Sequence, residues 1–336
     1  MEDIVFYQTM GFSLLVFLLT GYAILDGFDL GVGMLLPLLG KRESERNELL
    51  ASLAPVWDGN EVWLIAAGAA LFATFPHAYA TIFSGFYLAF LTLLAALILR
   101  AASLEFYGHD QARAHLWGAV FFGGSTAASF IFALAVGNVI YGVPLDGRLE
   151  YAGDFTTLFR PFPLAFAFVW MISFSLQGMA WLTGKTSGTL EERVFRFGRA
   201  ILWVNIFAAI AYLLMLTFLF PRVVTGYLFY MALILIASGL VGMFTQLRRK
   251  RKKGGFLCAS LFIMGLGLST AVAQFPYLVR PTGGELSGLT IYNASSSLGS
   301  LEVTTALTLL GLPIVIGYTV YAYRVFRGKA SSSDHY

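Results

Sequence analysis

The sequence predicts an all-α polytopic membrane protein: about nine transmembrane helices in bundles, the N-terminus outside and the C-terminus in the cytoplasm. Three observations carry that expectation. Hydrophobic residues make up 58% of the 336 and charged residues 12%, where a soluble domain has about 25% charged. Apolar runs recur at the length a ~30 Å hydrocarbon core requires of a helix, about 20 residues. The basic residues fall in alternate connections, as the positive-inside rule demands.

Nine runs serve as spans: 5–39, 51–75, 78–99, 116–140, 162–182, 200–220, 225–247, 256–279 and 303–325. Pro76, Pro144, Pro161, Pro221 and Pro281 fall near their ends or in loops, where a missing N–H does least harm. One set of connections carries Lys41, Arg42 and Arg46, then Arg100 and Arg113, then Lys185, Arg193, Arg196 and Arg199. It continues with Arg248 to Lys253 and ends on Arg324, Arg327 and Lys329. Of the 22 Lys and Arg residues, only Arg148, Arg160, Arg222 and Arg280 fall on the other side. An odd helix count with the N-terminus outside gives that asymmetry. The six consecutive charges from Arg248 read as a cytoplasmic turn against anionic lipid, not as a nucleic-acid patch. The acidic Met1-Glu2-Asp3 start does not resemble a cleavable signal, so the first run is expected to stay as an anchor. Residues 1–327 read as one transmembrane domain and 328–336 as a polar tail.

The informative side chains are acids inside apolar runs. Asp26 and Asp29 lie three apart in GYAILDGFDLGVG, and Asp58 and Glu61 three apart in WDGNEVW, so each pair shares a helix face. A carboxylate facing lipid costs at least ~2.5 kcal/mol, so these acids are expected to face protein or water. Two readings stand: proton carriers, or structural hydrogen-bond acceptors and caps. Glu105 and His109, four apart after Arg100, would face one way on a continuing helix and could collect protons at the mouth of a path. Chance surface placement is the other reading.

Several chemistries are excluded. The single cysteine, Cys258, permits no disulfide within the chain and no cysteine-based metal site. His77, His109, His115 and His335 lie at or beyond span ends, whereas membrane haem sites use histidines within helices. No haem or metal is therefore expected here, nor a catalytic residue, and no Walker or dinucleotide motif supports an ATP-driven pump. Any redox cofactor would belong to a partner. Apolar grooves could also take a quinone tail or a structural lipid, which composition does not decide.

GYAILDGFDLGVG, APVWDGNEVWLIAAGAALFATFPHAYA and FSGFY closely resemble subunit II of cytochrome bd-type quinol oxidases. Near the end, AQFPYLVRP and LTIYNASSS resemble the family's segment before its last helix. The stretch between the fourth and eighth spans is assigned by position. The resemblance implies a respiratory complex in a prokaryotic plasma membrane that oxidises quinol and reduces O2 to water. It implies a partner, subunit I, that carries haems b and d, and it allows small accessory subunits and a structural quinone. It further implies that Asp58 matches the family's proton-path acid, and that Glu105 stands where a second path acid is often aspartate. His109 stands where some members have lysine. Trp57 and Trp63 match the subunit boundary; Trp63 is either beside an oxygen route or a packing residue. Competing classes are a structural subunit that conducts nothing and a proton-coupled transporter, for which inverted internal symmetry is not found.

Overall fold

The computed structural model describes residues 2–282 and 288–329. The first predicted span is one continuous helix, α1 (Glu2–Leu39), of 38 residues. At 1.5 Å per residue it is about 57 Å long, nearly twice the hydrocarbon thickness. A short helix α2 (Glu43–Ala51) precedes α3 (Trp57–Thr74), which occupies the second predicted span.

The third predicted span is corrected. The run 78–99 breaks at Phe86 into a ten-residue helix α4 (Pro76–Gly85) and a longer α5 (Tyr87–His109). Arg100 therefore lies inside a helix and is 1% exposed, where the charge pattern had placed it in a connection. Glu105 and His109 close the same helix.

The remaining spans are α6 (Ala114–Tyr141), α7 (Pro161–Lys185), α8 (Gly188–Leu219), α9 (Tyr227–Arg248), α10 (Gly255–Gln274) and α11 (Leu298–Val325). Helix α8 begins twelve residues before the predicted start at Ala200, so Arg193, Arg196 and Arg199 are helical. Lys185 ends α7, buried, and donates to the Phe326 carbonyl at 2.6 Å. Helix α10 stops at Gln274, and the end of its predicted run forms β1 (Tyr277–Val279), antiparallel to β2 (Leu289–Thr290). Among the described residues, eight helices are long and apolar enough to cross a membrane. The ninth predicted crossing, α3, has 18 residues, and Asp58, Asn60 and Glu61 in its opening turns dilute its apolar content. The predicted tail lies outside the described residues beyond Lys329.

Helices α1 and α7 form the centre. Helix α1 touches α3, α6, α7, α10 and α11, and α7 touches α1, α6, α8 and α10. Gly31 and Gly178 allow this: a Cβ on Gly31 would overlap the Phe174 carbonyl, and one on Gly178 would come within 2.6 Å of the Val32 nitrogen. Small residues let membrane helices approach backbone to backbone. Helix α11 packs on α1 and α3 and leaves Val303, Leu307, Leu310 and Ile314 exposed in this chain.

Two of the four arginines that break the charge pattern have a local explanation. Arg160 donates to the Gly142 carbonyl and to Asn138 Oδ1, at the end of α6. Arg280 donates to the Ala273 and Gln274 carbonyls, at the end of α10. Each guanidinium neutralises the negative end of a helix dipole and satisfies carbonyls left without intrahelical donors.

Candidate functional site

Three helices bring their charged residues to one buried point, and a fourth, α11, adds a tyrosine. Arg100 of α5 grips Asp26 of α1 with two hydrogen bonds, Nη2 to Oδ1 at 2.8 Å and Nη1 to Oδ2 at 3.2 Å. Nη1 also donates to Oε1 of Glu61, from α3, at 3.1 Å. Asp29, one turn along α1 from Asp26, has Oδ2 at 4.0 Å from Nη2, beyond hydrogen-bond reach. Its donor is instead Asn60 of α3, whose Nδ2 lies 2.7 Å from Oδ2. Tyr323 of α11 donates to Asn60 Oδ1 at 2.9 Å, at the other end of that amide.

The helix periodicities explain the convergence. Asp26 and Asp29 share one face of α1, and Asn60 and Glu61 come from the first turns of α3 packed against it. Helix α6 presses on the back of Arg100: a Cβ on Gly124 would come within 2.8 Å of the Ala96 carbonyl and 3.1 Å of Arg100 Cβ. The side chains of Asp26 and Asp29 are 0% exposed, that of Arg100 2% and that of Glu61 25%. Asp29 Oδ1 is buried with no hydrogen-bond partner among the described residues.

Three carboxylates thus share one guanidinium in a water-poor interior. Buried charges persist only when paired and hydrogen-bonded. An interior set with more acids than cations can hold and release a proton. No group of His, Cys, Asp or Glu among the described residues is arranged to hold a metal ion.

The other predicted residues sit apart. Asp58 lies in the first turn of α3, exposed in this chain, and its side chain has no hydrogen bond or ion pair to another described residue. Glu105 and His109 are exposed at the end of α5. The predicted pairing of their side chains is not formed, because His109 Nδ1 donates to the Glu105 backbone carbonyl at 2.9 Å. Trp57 is half-buried. Trp63 is buried with Leu15, Leu18 and Tyr22, its ring lying where a Cβ on Gly21 would be. The described histidines, His77, His109 and His115, all lie within two residues of a helix end.

Sequence reasoning missed Arg100, Asn60 and Tyr323. Arg100 was legible had α5 been started after Gly85, since twenty residues from Tyr87 run well past it. Asn60 stood in the quoted WDGNEVW motif, between two acids. Tyr323 carried no signal beyond an aromatic near a span end.

A second feature is an apolar cavity of about 240 Å³ between α1, α3, α6, α7 and α10, lined by Phe12, Leu15, Ala23, Trp170, Phe174 and Gln274 among others. Trp170 Nε1 and Gln274 Oε1 are buried without partners among the described residues.

Residues 7–326 match the family described as cytochrome bd terminal oxidase subunit II. The chain is 31% identical to cytochrome bd-I ubiquinol oxidase subunit 2 of Escherichia coli K12, over 94% of this chain and 93% of that one. It is 31% identical to cytochrome bd ubiquinol oxidase subunit 2 of Bacillus subtilis, over 96% of each. It is 29% identical to the probable cytochrome oxidase subunit 2 of Haemophilus influenzae, over 99% and 97%. The fold is shared with a chain of the bd oxidase from Geobacillus thermodenitrificans, with a TM-score of 0.80 at 16% identity and coverage of 95% and 98%. This chain belongs to the cytochrome bd terminal oxidase subunit II family.

Proposed function

We propose that this chain, as subunit II of a bd-type quinol oxidase in a prokaryotic plasma membrane, carries cytoplasmic protons toward a haem-bearing subunit I. The observation that carries the reading is the convergence of Asp26, Asp29 and Glu61 on the single cation Arg100 inside the helix bundle. Asp58 precedes Glu61 by three residues on α3 and shares its face, so it lies one turn from that cluster. Glu105 follows Arg100 by five residues on α5, about 7.5 Å along the axis. Glu105 and His109 are assigned the uptake of protons, and Asp58 their delivery at the boundary with subunit I. Trp57 and Trp63 lie on the same helix as Asp58 and are assigned to that boundary on the family resemblance.

In this reading the partner's haems supply the dioxygen chemistry, and quinol gives up its protons on the outer side. Charge then separates across the membrane without a pump. The residues of this chain move protons and exclude water; none reacts with quinol or O2. Exposed apolar residues of α11 would meet subunit I, lipid or a small accessory subunit. The cavity between α1 and α7 is assigned to a structural quinone: its wall is apolar, and Trp170 Nε1 and Gln274 Oε1 offer one donor and one acceptor.

Asp58→Asn tests the path. The complex is expected to assemble with its haem content intact and to lose quinol oxidase activity by roughly tenfold or more, as for loss of a proton-transfer group. Normal turnover would remove Asp58 from the path. The purely structural reading is favoured by the doubly bonded Arg100–Asp26 pair, which locks α5 to α1. It predicts that an assembled Asp58→Asn complex turns over as the parent does.

A further inference from the structure

We propose that within this cluster Asp29 alone is the resident proton holder, on Oδ1, while Asp26 serves as the fixed counter-ion of Arg100 and Asn60 and Tyr323 act as positioning residues. The inference deepens the proton-path reading and rests on it. Its basis is the unequal treatment of three carboxylates by one guanidinium. Asp26 receives Arg100 on both oxygens, at 2.8 and 3.2 Å, the fork-to-fork geometry in which carboxylate and guanidinium are both charged. Glu61 receives one bond from Arg100 and keeps a quarter of its side chain exposed in this chain, so it is less desolvated than either aspartate. Asp29 is fully buried and outside hydrogen-bond range of the guanidinium, and among the described residues only one of its oxygens has a donor.

A second full negative charge at Asp29 would stand beside a pair that is already neutral. Desolvation makes that arrangement costly, and the usual escape is protonation. Asn60 decides which oxygen is used. Its Nδ2 donates to Oδ2, so Oδ2 is the acceptor oxygen and Oδ1 carries the proton. At the other end of the amide, Tyr323 donates its hydroxyl to Asn60 Oδ1. The chain of bonds also ties the last helix, α11, to the acid on the first.

The test is infrared difference spectroscopy of the purified oxidase complex between neutral and alkaline pH, in H2O and D2O. A protonated-carboxyl C=O band that shifts down in D2O is expected. Asp29→Asn abolishes it; where that variant does not assemble, Asp29→Glu moves its frequency. Glu61→Gln leaves it in place. Asn60→Ala raises the frequency, because the C=O loses its donor, and Tyr323→Phe moves it the same way by less. Absence of the band, its survival unchanged in both Asp29 variants, or its loss in Glu61→Gln overturns the assignment. Unchanged frequencies in Asn60→Ala and Tyr323→Phe overturn the positioning roles. The path itself is read separately from turnover of Asp58→Asn. An active Asp58→Asn complex that still shows the Asp29 band discards the path and keeps the holder.

Discussion

Two clusters in this molecule use the same side-chain types to opposite effect. At the Arg/Lys-rich rim, Glu45 of α2 accepts from Arg193 Nη1 at 2.7 Å and from the backbone nitrogens of Lys41 and Arg42 at 2.9 and 3.1 Å. A single carboxylate there has more donors than it strictly needs, and the Arg193 bond above all holds its pKa down at about 2. Inside the bundle the ratio is reversed, with three carboxylates around one guanidinium and one oxygen of Asp29 with no donor among the described residues. Desolvation would require the opposite ordering if stability were the only demand. The rim cluster is a fastening. The inner one is left short of positive charge.

The largest expected effect follows from the scarcity of cations inside. Arg100→Leu leaves Asp26 and Glu61 without their only positive partner among the described residues, and Asp26 is fully buried. Removing one side of a buried pair costs about 3–5 kcal/mol because the other side remains uncompensated. The variant is expected to fail to accumulate in membranes, or to melt far below the parent, in contrast to an Asp58→Asn chain. Equal stability of Arg100→Leu and the parent would show that water or a partner already neutralises the acids, and the contrast between the two clusters would fall.

The same contrast explains what the sequence could and could not reveal. Asp26, Asp29 and Glu61 were legible because carboxylates are rare in apolar runs and expensive there. Their cation was not, because Arg100 stood one residue past a predicted span end and matched the pattern of basic connections. The apolar stretch from Ala78 continues through Phe86 without a charged residue, so hydropathy fused α4 with α5 and shortened the true helix by ten residues at its far end. The Asn60–Tyr323 link joins positions 263 residues apart. Local pattern reading has no access to such a pair, whereas the all-α polytopic class follows from length and hydropathy, with eight rather than nine helices long and apolar enough to cross among the described residues.

At the rim the expected effect is smaller and depends on pH. Glu45→Gln keeps the shape and removes the charge, weakening a set of charge-assisted hydrogen bonds worth about 2 kcal/mol. A carboxyl held lower in the fold than in the unfolded chain adds stability that is complete above its ordinary value of 4.5 and fades as pH falls to about 2. Thermal denaturation in detergent should therefore separate Glu45→Gln from the parent at pH 7, and the gap should close progressively below pH 4.5. A gap that persists undiminished at low pH would mean that Glu45 contributes through packing, and the rim would cease to be an electrostatic fastening.

The least effect is expected at the neighbouring clasp, and it separates buried from exposed pairing. Glu191, at the start of α8, receives Lys252 at 2.7 Å and Lys329 at 3.4 Å, joining the α9–α10 turn and the end of the described chain. The lysine side chains are 47% and 49% exposed, whereas Arg193 on Glu45 is 17% exposed. Exposed pairs gain little and are screened by salt, whose Debye length falls to about 3 Å at roughly 1 M. Glu191→Gln should lower the melting temperature less than Glu45→Gln does at pH 7, and its effect should vanish in roughly molar salt. The Glu45→Gln effect should survive the same salt, because the Arg193 bond is shielded by the helices on either side. If salt erased both equally, exposure would not be what distinguishes the two rim pairs, and donor number alone would set their strength.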